Sequence, residues 1–231
     1  MLKSLKLFVF VSLFNAGLVQ ALPKSVQLEY DVARDGKLFA ILKESFTQNG
    51  KQYRIQSITK GVGIYALMGE RKLTSTGTVT KAGLRPGHFE LHQGNNDDKT
   101  LIANFDWAKN TLTMQKKHET QTEKLTAGTQ DLASYAYQFM FNPPLKDVVK
   151  VILTTGKKLK VYQYKILARG INLNLAKTSY KTLQLSNEAA DGQDKKQLWL
   201  AQDQFYLPVR YQLTDYDDSA YEQTLTRIHV E

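Results

Sequence analysis

Two carboxylates, Asp106 and Asp131, are the residues of this sequence that are best suited to chemistry. Paired carboxylates held about 5–10 Å apart catalyse glycoside hydrolysis. A hydrolase using these two residues is therefore one hypothesis. Each residue also has a structural interpretation, because Asp131 lies where it can cap a helix and Asp106 ends a strand before a turn.

Two arginines, Arg85 and Arg210, each lie within two residues of a proline. A guanidinium on a rigid strand can pair with a carboxylate such as Asp31 or Glu29, or it can bind an anionic ligand through its planar fork of donors. The sequence leaves both roles open. We include Arg85 and Arg210 among the candidate ligand-binding residues.

Several kinds of catalytic site lack the residues that they require. The chain has no cysteine, which excludes thiol nucleophiles and zinc-cysteine sites. His88 and His92 share one face of a strand, but a metal site would need a third ligand near them. We predict no metal, no cofactor and no catalytic residue.

A helical apolar pattern occurs once, between Gly128 and Pro144. Its apolar positions repeat at i, i+3, i+4, i+7 and i+8, which predicts one amphipathic helix of about three turns. Thr129 and Asp131 suit its first turn. We expect Tyr135, Phe139 and Met140 to pack on the sheet or to contact an apolar ligand held against it. The stripe comprises Leu132, Tyr135, Ala136, Phe139 and Met140.

The rest of the chain alternates apolar and polar residues in short runs separated by turn residues such as Asp35-Gly36 and Asn49-Gly50. This pattern predicts about a dozen strands. We predict a mainly β fold: a curled antiparallel sheet or barrel-like fold with one central amphipathic helix. Residues 61–68 break the alternation and suggest a short apolar helical turn, or a loop, that covers one end of the sheet. Gly77 is a candidate β-bulge.

Residues 1–21 have the pattern of a secretory signal peptide. Lys3 and Lys6 precede an apolar run, and the run ends at Val19-Gln20-Ala21. We expect cleavage after Ala21, no transmembrane span after cleavage, and a single β-rich domain over residues 22–231 in the periplasm.

The chain is basic, with a formal net charge of +9, and removal of the two signal-peptide lysines leaves +7. Such a charge fits a solvated surface, or attraction to lipid headgroups, lipopolysaccharide or another acidic envelope component. No basic stripe with interleaved aromatic residues occurs, and export argues against nucleic acid as a partner.

Six short runs occur in order along the chain: Leu28-Glu29-Tyr30-Asp31-Val32, Gly61-Val62-Gly63-Ile64-Tyr65-Ala66-Leu67, Gly83-Leu84-Arg85-Pro86, Phe105-Asp106-Trp107, Gly128-Thr129-Gln130-Asp131-Leu132 and Leu207-Pro208-Val209-Arg210. Together they resemble a family of exported bacterial proteins, domain of unknown function 3108. The resemblance covers nearly all of residues 26–231 and implies a β-rich, barrel-like exported domain without an assigned reaction.

Two functions from different classes follow. The first, which we favour, is a non-enzymatic binding or envelope-maintenance module that holds an apolar or lipid-like ligand in the concave face of its sheet. The alternative is a hydrolase of envelope polysaccharide or peptide that uses paired carboxylates. An apolar cavity lined by aromatic residues would support the first, and a polar cleft with two convergent carboxylates would support the second.

Overall fold

A computed structural model describes residues 21–94, 96–144, 146–187, 194–215 and 219–231. The predicted signal peptide lies outside these residues apart from Ala21. The described chain is mainly β, as predicted, with three short helical segments: the 3₁₀ helices Gly63–Met68 and Asp97–Lys99, and the α-helix Gln138–Phe141, here α1. No helix in these ranges is long and apolar enough to cross a membrane.

Fifteen strands are formed, somewhat more than the dozen predicted. They are β1 (Ser25–Arg34), β2 (Lys37–Asn49), β3 (Gln52–Gly61), β4 (Glu70–Thr80), β5 (Gly83–Gln93), β6 (Leu101–Asp106), β7 (Thr111–Lys116), β8 (Glu119–Lys124), β9 (Gln130–Asp131), β10 (Val148–Thr154), β11 (Leu159–Leu175), β12 (Thr178–Asn187), β13 (Lys195–Ala201), β14 (Leu207–Thr214) and β15 (Ala220–Val230).

All fifteen strands belong to one sheet with the order β8-β7-β6-β5-β4-β3-β2-β1-β15-β14-β13-β12-β11-β10-β9. β1 pairs with β15 and so joins the two halves of the chain. Every pairing is antiparallel except that of β9 with β10, which is parallel. In the described chain β8 and β9 are the edges of the sheet, so the sheet is open and not a closed barrel.

The sheet is curled, because strands far apart in its order pack against each other. The Thr154 hydroxyl on β10 donates a 3.1 Å hydrogen bond to the Met114 sulfur on β7. Gly156, just after β10, lies against Leu101 and Phe89 of the first half. The two halves therefore enclose a common interior, and one large apolar cluster draws residues from both.

A β-bulge occurs opposite Gly77, and its extra residue is Gly87 of β5 and not the predicted Gly77. The register of β4 and β5 shifts between Thr76 and Gly77. A Cβ atom at Gly77 would lie 2.3 Å from the Arg85 carbonyl oxygen, a separation that no side chain tolerates. Glycine is required here because the two backbones approach so closely.

The predicted helix is present but shorter than three turns. Residues 128–142, which we call the crossing segment, begin as strand β9, continue through turns and end in α1, a single turn. Strand pairing of Gln130 and Asp131 with β10 removes the first predicted turn from the helix. Asp131 does not cap α1, which begins at Gln138. Its Oδ1 instead accepts hydrogen bonds of 2.9 Å from the Ala133 and Ser134 amides and stabilises the turn after β9.

The crossing segment is held in the concave side of the sheet by its apolar residues, as predicted. Tyr137 is completely buried and stacks on Phe46 with ring centroids 5.6 Å apart. Met140 belongs to the large apolar cluster. Phe139 belongs to a second cluster formed by β10 to β13. The segment therefore fills the interior and contacts both halves of the sheet.

The 3₁₀ helix Gly63–Met68 does not cover the end of the sheet. None of its residues is buried, and Leu67 is 93% exposed. The prediction of an apolar helical turn is confirmed. Its expected covering role is wrong, because the side chains of Ile64, Leu67 and Met68 extend into solvent.

Candidate ligand-binding cavity

A cavity of about 200 Å³ lies between the crossing segment and the concave face of the sheet. Strands β1 to β4 supply one wall, strands β13 to β15 supply another, and residues 132–136 lie across it. Apolar and polar groups share the lining. Its polar residues are Tyr30, Glu44, Ser57, Thr59, Arg71, Tyr135, Arg210, Tyr211 and Gln223.

Two arginines line this cavity. Arg71, at the start of β4, is partly exposed, and burial lowers the pKa of its guanidinium. It makes no ion pair or side-chain hydrogen bond in the part of the chain that the structure describes. A guanidinium in a protein remains protonated near neutral pH. Arg71 is thus a partly buried cation without a counter-ion among the described residues.

Arg210 is held by its neighbours on the sheet. Its guanidinium forms an ion pair with Glu222 and lies over the Trp199 ring, 5.1 Å from the centroid. Its Nε is buried and has no hydrogen-bond partner among the described residues. Of the two roles considered for Arg210, the structure shows pairing with a carboxylate, but the partner is Glu222 and not Asp31 or Glu29.

Glu44 is the carboxylate of the cavity. Burial raises the pKa of Glu44 to about 7, against the opposing effect of hydrogen bonds from Ser57 and Tyr137. The Tyr137 hydroxyl donates to its Oε2 over 3.3 Å. Glu44 therefore holds its proton to higher pH than an exposed carboxyl does, and in the described chain it forms no ion pair with Arg71.

Three tyrosines add hydroxyl groups to the lining. Burial raises the pKa values of Tyr30, Tyr135 and Tyr211 well above their ordinary value, so all three stay protonated and can donate hydrogen bonds. The Tyr30 hydroxyl already donates to the Pro208 carbonyl oxygen over 2.8 Å. In the described ranges the Tyr135 and Tyr211 hydroxyls have no hydrogen-bond partner.

The five predicted ligand-binding residues separate into three groups. Tyr135 and Arg210 line the cavity. Phe139 and Met140 are buried in the apolar clusters, so they support the cavity without lining it. Arg85 lies elsewhere, exposed and 4.9 Å from the centroid of the Trp107 ring.

Sequence reasoning missed Glu44, Arg71 and Tyr211, although a signal for the first two was present. Side chains of a strand alternate between its two faces, and Glu44 lies on the same face as the buried residues Leu42 and Phe46. Glu44 therefore occupies an inward position of β2. Arg71 precedes Leu73 and Ser75 in the same way on β4. A charged residue at an inward position of a strand is the pattern that marks a polar cavity.

The two carboxylates proposed for hydrolysis have separate structural roles, and neither lines the cavity. Asp106 is at the β6–β7 turn, where its Oδ1 accepts hydrogen bonds from the amides of residues 108 and 109. Asp131 is completely buried and accepts a 2.6 Å hydrogen bond from Ser75. Burial raises the pKa of Asp131 to about 6, against the opposing effect of its hydrogen bonds.

The histidines weighed as metal ligands are joined by Glu90. Its two carboxylate oxygens lie 3.0 Å from His88 Nε2 and 3.2 Å from His92 Nε2. Their other ring nitrogens contact Asn104 and Thr100. Among the residues described, no group of three or more histidine, aspartate or glutamate side chains has metal-binding geometry.

The sequence was compared with known proteins. The model of a family described as "Protein of unknown function (DUF3108)" matches residues 29–226. No curated protein matches the sequence. The family match covers all the residues that line the cavity.

Proposed function

This chain belongs to the DUF3108 family, whose description assigns no activity, and we propose from the geometry of its cavity that it is a non-enzymatic binding module of the cell envelope. Its ligand is an amphiphile with a small acidic group. The acidic group binds Arg71 inside the curled sheet, and the adjoining carbon chain contacts the apolar part of the lining.

The observation that carries this proposal is the absence of a counter-ion for Arg71 among the described residues. A desolvated charge without a partner is costly in a folded protein. An acidic ligand group would remove that cost and gain charge-assisted hydrogen bonds. The free hydroxyls of Tyr135 and Tyr211 line the same cavity, where they can donate to the same group.

The size and lining of the cavity support a particular kind of ligand. Sites for drug-sized molecules usually enclose about 300–1,000 Å³, and this cavity holds about 200 Å³. It therefore suits a phosphate or carboxylate with a few adjoining carbons, and not a whole lipid. The apolar lining residues include Leu42, Leu73, Leu132 and Leu198, which favour carbon next to the acidic group.

The proposed compartment is the periplasm, on the basis of the signal-peptide pattern of residues 1–21. Envelope lipids and lipopolysaccharide carry the acidic groups and acyl chains that this cavity suits. The basic charge of the chain favours encounter with such molecules.

Native mass spectrometry of protein purified from its own envelope tests this function. We expect a retained small molecule with an acidic group, reduced in the Arg71→Gln variant. Arg85→Gln is the matched control, because Arg85 is exposed and lies outside the cavity. A retained uncharged molecule, or equal retention by all three proteins, would contradict the proposal.

A further inference from the structure

The exposed 3₁₀ helix Gly63–Met68 is a second functional feature, separate from the cavity. Ile64 is 79% exposed, Leu67 93% and Met68 70%. Isolated exposed apolar residues are common on proteins, but a cluster of large ones on one turn marks an interaction surface. We call these three residues the apolar tip.

The turn that carries the apolar tip is anchored to the sheet. The Val62 amide donates a 2.8 Å hydrogen bond to the Phe39 carbonyl, and the Tyr65 amide donates to the Val62 carbonyl over 3.1 Å. The Tyr65 ring packs edge-on against Phe39 with centroids 5.9 Å apart. Gly61 allows a close approach, since a Cβ there would lie 2.1 Å from the Tyr65 carbonyl oxygen. The sheet thus fixes Tyr65 while the apolar tip extends into solvent.

Basic residues lie beside the apolar tip. Arg34 and Lys37 line the same surface depression as Met68 and Tyr65, and the adjoining strand ends also carry Lys60 and Lys72 together with the acids Asp35 and Glu70. Both acids are already paired, Asp35 with Arg34 and Glu70 with Lys60. In the described chain Lys37 and Lys72 are exposed and make no ion pair.

We propose that the apolar tip docks the protein on a membrane surface that contains anionic lipids. A projecting apolar turn can insert between headgroups, whereas Lys37 and Lys72 remain at the level of the lipid phosphates. Tyr65 and Tyr221 flank the turn at its base, where amphipathic rings suit a membrane interface. This combination of convex apolar shape and basic surroundings fits an anionic bilayer.

The docking surface and the cavity share one end of the sheet. Arg71 lies three residues after Met68. In the pairing of β3 with β4 it is opposite Thr59, near the end of β3. Docking would therefore bring the Arg71 end of the cavity towards the membrane. The proposal does not depend on the ligand of the cavity.

Co-sedimentation with lipid vesicles tests the docking surface. The experiment uses the protein in the form that its own cells produce. The vesicles are phosphatidylcholine alone and phosphatidylcholine mixed with phosphatidylglycerol. We expect binding to the anionic vesicles, weakened by salt, and a loss of about tenfold or more in the Ile64→Asp/Leu67→Asp variant. Leu167→Asp/Ile171→Asp is the matched control, since these β11 side chains are 54% and 51% exposed, and it should bind like the unchanged protein.

The possible outcomes separate the alternatives. Equal loss in both double variants, equal binding to both vesicle types, or no vesicle binding would overturn the proposal. A dimer in solution that the Ile64→Asp/Leu67→Asp variant abolishes would assign the tip to a second copy of the chain and overturn it as well. Thermal unfolding establishes that both variants are folded. Arg71→Gln should keep vesicle binding, so failure of the cavity proposal is distinguishable from failure of this one.

Discussion

The Tyr137 hydroxyl donates a 3.3 Å hydrogen bond to Oε2 of Glu44, which links the crossing segment to the carboxylate of the cavity. The Tyr137 side chain is completely buried, and its ring stacks on the ring of Phe46. One side chain therefore both anchors the segment and fixes a polar group of the cavity, so the position of the segment determines the shape of the site.

Stability should rise as the pH falls from about 8 to about 5. The folded-state pKa is raised to about 7 for Glu44 and to about 6 for Asp131. An acid with a raised pKa stabilises the fold fully below its unfolded-state pKa, and this contribution is lost as the pH rises through the folded value. Denaturant unfolding should show a change on the order of 2 kcal/mol for Glu44 over this range. Glu44→Gln should flatten the dependence, and an unchanged pH profile in that variant would disagree with a buried, titrating Glu44.

Tyr137→Ala should destabilise the protein by about 3–5 kcal/mol, because it leaves a large cavity against Phe46. Tyr137→Phe keeps the ring and removes only the hydroxyl that bonds Glu44, so it should cost about 1 kcal/mol. Denaturant unfolding of both variants measures the difference. Similar losses in the two would show that ring packing does not hold the segment.

The two aspartates should differ sharply when each is changed to alanine. Asp131→Ala leaves Ser75 and two buried amides without their acceptor, and we expect a loss of about 2–4 kcal/mol. Asp106→Ala affects an exposed turn and should cost about 1 kcal/mol or less. Thermal and denaturant unfolding compare them, and a larger loss for Asp106 would contradict the assigned roles.

Gly77→Ala should destabilise the sheet by about 1–3 kcal/mol, because its Cβ would overlap the Arg85 carbonyl and force the two backbones apart. Gly87 is the control, since a Cβ there would meet nothing closer than 3.6 Å. Gly87→Ala should be nearly neutral. Equal unfolding free energies for the two variants would mean that the close approach of the two strands at Gly77 does not require glycine.

Much of the fold was predictable from local patterns. Alternation revealed most strands, and Asp35-Gly36 and Asn49-Gly50 marked real hairpins, because these signals depend only on neighbouring residues. The pairing of β1 with β15 was not predictable, since it joins residues about two hundred positions apart. The helix was predicted too long because β10 competes for Gln130 and Asp131, a long-range contact that periodicity does not contain.

The cavity was only partly predictable for the same reason. Tyr135 and Arg210 stood out by residue type and by position within a motif. Glu44 and Arg71 looked like ordinary members of alternating strands, and only the curl of the sheet brings them together. Arg85 was selected for the same reason as Arg210, because each lies within two residues of a proline in one of the six runs. Its side chain nevertheless packs on Trp107 and not in the cavity, because neighbouring positions of a strand face opposite sides of the sheet.

Calorimetric titration of butyl phosphate, whose short chain matches the size of the cavity, into protein freed of retained ligand tests the central claim most directly. We expect saturable binding at one site, an affinity about tenfold lower in Arg71→Gln, and an unchanged affinity in Arg85→Gln. The absence of saturable binding, or equal affinities for the unchanged protein and Arg71→Gln, would contradict an acidic ligand group at Arg71.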